Sequence, residues 1–286
     1  MNERDAARNN TDTYARISPT HSPVAVLVSG DFQSGLFVIS GFAPMTPPLP
    51  TTPEQLIEMS LMNRGTQTTT PEAIVAQAIW DGQAIMGTDG SVKDEVATYS
   101  WIISTTTDEI GADVKGGGFL PPTAQYMTPY SKRPEAAALL AGLSWIHDLL
   151  RRYPDTNPDS GPTPSLSIAV DNKAVILDTN RTVNDLTSTL HLLNPDYDIM
   201  QATRSVITAL PIPVDIFHVK SHQDLQKPIE ELSPPAQINV LADHHADAIY
   251  HLSPMATGLF PTWVPGTRAA LFHNQHQVTK DYPHYL

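Results

Sequence analysis

The chain has 286 residues, no cysteine, 26 prolines and a formal net charge of −13. The missing cysteines exclude disulfide scaffolds, thiolate zinc sites, iron–sulfur clusters and thiol nucleophiles, while a hydrophobic fraction of 41% is enough for one sizeable core. A pI near 5.1 counts against a protein that holds nucleic acid mainly through a broad basic surface.

The first residues mix Arg4 and Arg8 with Glu3 and Asp5 and contain no apolar run, so no signal peptide is expected. Val24 to Phe42 is apolar but broken by Asp31, Gln33 and several Gly and Ser residues, which suits two short strands around a turn rather than a membrane span. An intracellular location, cytoplasmic or nuclear, without a membrane partner is the resulting expectation. Pro44 to Pro53 is half proline, which favours extended, solvated chain and marks a boundary. Residues 1–50 are therefore read as an N-terminal segment, partly disordered or a small hairpin. Residues 51–80 follow as a helical connector in two pieces, Glu54 to Met62 and Pro71 to Trp80, with Pro71 suited to a first turn.

Residues 84–92, 96–105 and 110–117 are three strand-like runs with short turns, which predicts an antiparallel meander. Residues 131–152 then place Leu139, Leu143, Ile146 and Leu150 on one helical face, and these, with Trp101 and Trp145, are candidate core. Tyr153 to Ser165 reads as a proline-rich loop within the domain. A buried strand at 165–171, a short helix at 172–179, a helix at 196–210, a strand at 214–220 and a helix at 234–250 complete the order. Ser233 and Pro234 open the last helix as N-cap and first position. The order βββαβαβα predicts an α/β fold, a mixed five-stranded sheet flanked by helices, with the fourth and fifth strands parallel to the first. Residues 81–252 form the predicted catalytic domain and 253–286 a C-terminal tail.

Four acids fall where this topology brings chain segments together. Asp89 interrupts the first strand, Asp171 ends the fourth, Glu135 opens the first long helix and Asp243 lies on the last. Two carboxylates about 4 Å apart repel by roughly 4 kcal/mol at an effective dielectric near 20, so such a cluster must hold protons or recruit cations. An oxygen-only donor set selects Mg²⁺ or Mn²⁺, and two such ions suit phosphodiester hydrolysis. Each acid also has a plainer role open to it. Asp89 before Gly90 can be a turn residue, Glu135 a first-turn acid on the helix dipole, and Asp171, followed by Asn172, an N-cap. Asp247, one turn beyond Asp243, is its rival or an outer partner. His218 and His222 are four apart, but on a strand that spacing does not converge on zinc as it would on a helix.

The stretches GTDGSVKD with Asp89, RPEAAALLAGL with Glu135, SIAVDNKA with Asp171, HVKSHQD with His222 and INVLADHHADAI with Asn239 and Asp243 resemble, in order, type 1 ribonuclease H. The likeness is to the domain found C-terminal to retroelement reverse transcriptases, spans roughly residues 80–252 and extends more weakly into the tail. It implies cleavage of the RNA strand of an RNA–DNA hybrid, with Asp89, Glu135, Asp171 and Asp243 holding two Mg²⁺ ions (Mn²⁺ as substitute) and His222 aiding proton transfer or product release. Gly90, Ser91, Asn172 and Asn239 become candidate substrate contacts. No Tyr-x-Asp-Asp polymerase motif is present. Residues 172–213 hold only Lys173, Arg181 and Arg204 against Asp178, Asp185, Asp196 and Asp198, so weak grip and help from a reverse transcriptase or other nucleic-acid-binding partner are expected. The alternative is a nuclease-dead, retroelement-derived module that only binds nucleic acid or protein. An integrase would need a late Glu, and an aspartyl phosphatase a second Asp where Ser91 stands.

Overall fold

Runs of β-branched and aromatic residues after Gln83 build the centre of a mixed sheet in the computed structural model, which describes residues 13–17, 61–121, 132–155, 164–180, 196–260, 269–273 and 276–278. Strand β3 (Ile85–Lys93) turns back into β4 (Val96–Ser104) through Asp94 and Glu95, both at positive φ, 47° and 65°, as a two-residue hairpin of the I′ kind requires. β5 (Val114–Phe119) pairs antiparallel with β4 and closes the expected meander. It starts four residues later than expected because Asp113 turns its carboxylate to the Thr105 amide and hydroxyl and to the Thr70 hydroxyl instead of continuing the strand.

β6 (Leu166–Val170) lies parallel to β3, and β7 (Val214–His218) parallel to β6, as the order of elements predicts. The sheet has seven strands rather than five. β2 (Gln67–Thr68) and β8 (Gly258–Leu259) each add two residues to β5, giving the order β2-β5-β4-β3-β6-β7 with β8 beside β5. Two-residue strands have no periodicity for sequence reading to detect. A separate three-stranded sheet joins β1 (Thr13–Ile17), β9 (Ala269–His273) and β10 (His276–Val278). The expected strands of 24–42, the helical piece at 54–60 and the middle of the proline-rich loop lie outside the described residues.

Helices α1 (Glu72–Trp80), α2 (Lys132–Arg152) and α4 (Tyr197–Ala209) contribute to the core on one face of the sheet, and α5 (Pro234–Tyr250) covers the other. Pro71 is the N-cap of α1 rather than a first-turn residue, and Ser233 sits at the N-cap of α5 without a side-chain capping bond. Strand alternation sorts the side chains. Met86, Trp101 and Ile103 enter the core with Leu139, Leu143, Ile146 and Leu150 of α2, while Ile85 and Ile102 face Ile238 and Ala242 of α5. Trp101 and Trp145 pack with ring centroids 5.4 Å apart. Each fully buried Leu or Ile contributes roughly 1.5–3 kcal/mol, so α2 is anchored chiefly by its apolar stripe. On the β5 side, Phe260 packs edge-on against Tyr99 and the Tyr99 hydroxyl donates to the Met62 carbonyl at 2.7 Å.

Candidate active site

The register of the central parallel pair sets the site. Ile85, Met86 and Gly87 of β3 lie opposite Ser167, Ile168 and Ala169 of β6, and the same offset continued by two residues brings Asp89 level with Asp171. Asp171 stands just beyond the end of β6. Asn172, rather than Asp171, is the N-cap of α3 (Lys173–Thr179). Its side-chain oxygen accepts from the Ala174 and Val175 amides, leaving Asp171 free to face the cleft. Glu135 reaches the same point from the first turn of α2. Ligand oxygens of Asp89, Glu135 and Asp171 all lie within 4.8 Å of one another.

Burial pushes the Asp89 carboxyl well above the usual carboxylate range, and the charges of Asp171, Asp243 and Asp247 push it further. Burial does the same to Glu135, reinforced by Asp89 and Asp171. Asp171 is raised less, again mainly by burial, because a hydrogen bond from Glu135 and the nearby His222 favour its charged form. The contact between Glu135 and Asp171 pushes Glu135 up and Asp171 down. Glu135 Oε2 is buried and has no hydrogen-bond partner. An orphaned buried oxygen among three mutually repelling carboxyls fits a hard divalent cation, and the donor set contains only oxygen.

Asp243 borders the same cleft of about 580 Å³ but does not join the 4.8 Å group. Its Oδ2 lies 3.3 Å from His222 Nδ1, and His222 adopts φ 51° at the start of a short 3₁₀ turn after β7. Asp247 is engaged with Lys93 at 2.6 Å. Among the described residues no histidine joins a metal-binding group, and His218 and His222 both line the cleft. Ser91, Asn172 and Lys173 also line it. Asn239 does not: it is buried, and its amide donates to the Thr88 carbonyl at 3.2 Å, tying α5 to β3. Gly90 lines the cleft, but its lack of a side chain has a further reason. A β-carbon there would overlap the backbone of Pro134 and Glu135, so Gly90 allows α2 to close onto β3.

Sequence reading passed over Lys132 and Arg133, the two residues that begin α2. Lys132 pairs with Asp178 on α3. Arg133 forms two 2.9 Å bonds to Asp198 on α4 and a third of 3.3 Å to Asp196, with all three side chains buried. Asp178, Asp196 and Asp198, which look in the sequence like surface acids hostile to a polyanion, are thus neutralised inside the protein. The available signal was the placement of two cations in a helix's first turn, where the dipole disfavours them and buried partners must compensate.

No protein-family model matches this sequence, and no curated protein does. Among solved structures, the chain is similar to ribonuclease H1 of the archaeon Halobacterium salinarum NRC-1, at 14% identity over 51% of this chain and 91% of that one, with a TM-score of 0.31. A ribonuclease H1 isolated from compost by a metagenomic approach matches at 11% identity, covering 59% of this chain and 95% of its own, with a TM-score of 0.36. A structure of the compost enzyme in complex with an RNA/DNA hybrid matches at 12% identity over 56% and 99%, with a TM-score of 0.31.

Proposed function

We propose that this chain is a metal-dependent endonuclease that hydrolyses the RNA strand of RNA–DNA hybrids. One observation carries the reading: the buried carboxyls of Asp89 and Glu135 and the half-buried one of Asp171 converge at an open cleft, with no lysine or arginine paired to them among the described residues and with Glu135 Oε2 left without a partner. Asp89, Glu135 and Asp171 would hold the metal, with Asp243 as the fourth ligand. Two Mg²⁺ ions bound there would supply an activated water and charge stabilisation for the leaving oxygen. Burial raises Asp89 and Glu135, so metal held by them would compete with protons and its uptake would strengthen as pH rises.

The chain's own groups supply the rest. Asp243 orients His222 through Nδ1, leaving Nε2 to give a proton to, or take one from, a phosphate oxygen. Ser91 at the cleft is placed to meet the RNA strand, whose 2′-hydroxyl distinguishes it from DNA. Lys173 is the one lysine or arginine lining the cleft among the described residues. That scarcity supports the finer part of the proposal, a retroelement-type domain whose grip on the hybrid comes from a reverse transcriptase or another nucleic-acid-binding partner. The test is a labelled RNA–DNA hybrid incubated with protein and millimolar Mg²⁺. The RNA strand should shorten, and Asp89→Asn should cut the rate by at least about 100-fold, beyond the range typical of a ligand's outer partners. An intact RNA strand, or undiminished cleavage by Asp89→Asn, overturns the proposal.

A further inference from the structure

Glu135 is the one candidate ligand delivered by a helix start rather than by the sheet or the last helix, and two features hold that start from opposite sides. Toward the sheet, Gly90 lets β3 lie directly against the backbone of Pro134 and Glu135. Away from it, Lys132 is tied to Asp178 at the end of α3 and Arg133 to Asp196 and Asp198 at the start of α4. The Arg133 side chain is 4% exposed and those of its partners 0% and 6%. Asp196 holds φ 57°, a conformation unfavourable for a residue with a side chain, while its carboxylate receives Arg133.

Taking an arginine and two carboxylates out of water is costly, and apolar residues of similar volume often serve stability as well or better. The arrangement nonetheless has a geometric property that apolar packing lacks. A planar guanidinium meeting one carboxylate through two parallel bonds fixes direction as well as distance. Arg133 precedes Glu135 by two residues, so the direction it fixes is that of the turn carrying the Glu135 carboxyl. The Arg133 guanidinium donates to Asp198 and Asp196, and its effect on the site is one of position.

We propose that Arg133, clasped by Asp196 and Asp198, is a positioning residue that sets Glu135 in the metal site, so that the α2–α4 clasp governs metal affinity without touching the metal. The inference rests on the metal-site reading above. Its test uses the full chain, and thermal unfolding across a Mn²⁺ titration gives the metal midpoint without any assay of cleavage. The triple variant Arg133→Met, Asp196→Asn, Asp198→Leu removes the three charges of the clasp together, so none of the three is left as a buried ion without the other two, and Asn tolerates the left-handed backbone at 196. It should fold, with a metal-free melting temperature close to wild type, yet need at least about tenfold more Mn²⁺ for half its stabilisation. Arg133→Lys, which keeps the charge and loses the fork, should also raise the midpoint, whereas Arg152→Met at the far end of the same helix should leave it unchanged. If wild type gains no stability from Mn²⁺, the metal site itself fails and the clasp has nothing to position. If wild type responds and the triple variant folds with a midpoint within twofold of it, the site stands and the clasp proposal is overturned. Should the triple variant not fold, Arg133→Lys decides on the same twofold criterion.

Discussion

Two buried charge clusters flank the first turn of α2, and they are built oppositely. On one side Arg133 meets Asp196 and Asp198, and Lys132 meets Asp178, so every named carboxylate has a protein cation. On the other, Asp89, Glu135 and Asp171 crowd together with no lysine or arginine paired to them among the described residues. Asp89 and Glu135 are as buried as the acids of the first cluster, and Asp171 is half-buried. The protein can therefore neutralise buried acids with its own cations, and the second cluster is one where a cation from outside could do so.

The largest effect expected from breaking this contrast is Arg133→Met alone, which turns the balanced cluster into a second unbalanced one. Removing one partner of a buried pair costs about 3–5 kcal/mol, and at about 2–4 °C per kcal/mol for a domain of this size the melting temperature should fall by roughly 6–20 °C. Calorimetry showing a fall of under about two degrees would mean that the pair is not buried as described.

An opposite, smaller effect is expected at the other cluster. Glu135 and Asp89 have raised folded-state values, so the metal-free folded state binds more protons than the unfolded chain. Their stabilising contribution is complete below the unfolded carboxylate range near pH 4 and is lost as pH rises through the folded values. Glu135→Gln or Asp89→Asn should therefore raise the metal-free melting temperature at pH 7 by a few degrees, with the gain shrinking as pH falls toward 4. Measured in a chelator, a gain that grew on acidification would contradict the assigned direction. The smallest effect is expected at Lys93→Met, whose ion pair with Asp247 is about half exposed. It should cost no more than about 1 kcal/mol and fade in high salt, and a loss several times larger would show Asp247 to be part of the buried cluster.

The juxtaposition of Asp89 with Asp171 was legible in the sequence as far as the parallel pairing of two apolar strands, and the observed register sets 89 level with 171. Glu135 could be placed at a helix start by its proline and apolar spacing, but not brought to the cleft without Gly90, whose packing role resembles a turn in one dimension. Arg133 was out of reach because its partners lie 63 and 65 residues away and carry the charge typical of solvated surface. Asn239 entered as a candidate substrate contact through the resemblance, and the closeness of α5 to β3, which the sequence does not show, turns its amide toward the Thr88 carbonyl.

The two-residue strands beside β5 bear on how the molecule can be handled. β5 is the last long strand on its side, and its outer backbone groups would otherwise stand ready to template another chain. Gln67 and Thr68 cover one part of that edge and Gly258 and Leu259 another, and a β-carbon at Gly118 or Gly258 would not fit between them. A fragment trimmed to residues 81–252 would lose both covers and the Phe260 ring against Tyr99. Its exposed edge would make it prone to self-association even with every cleft residue in place, so an expression fragment should run from before Met62 to beyond Phe260.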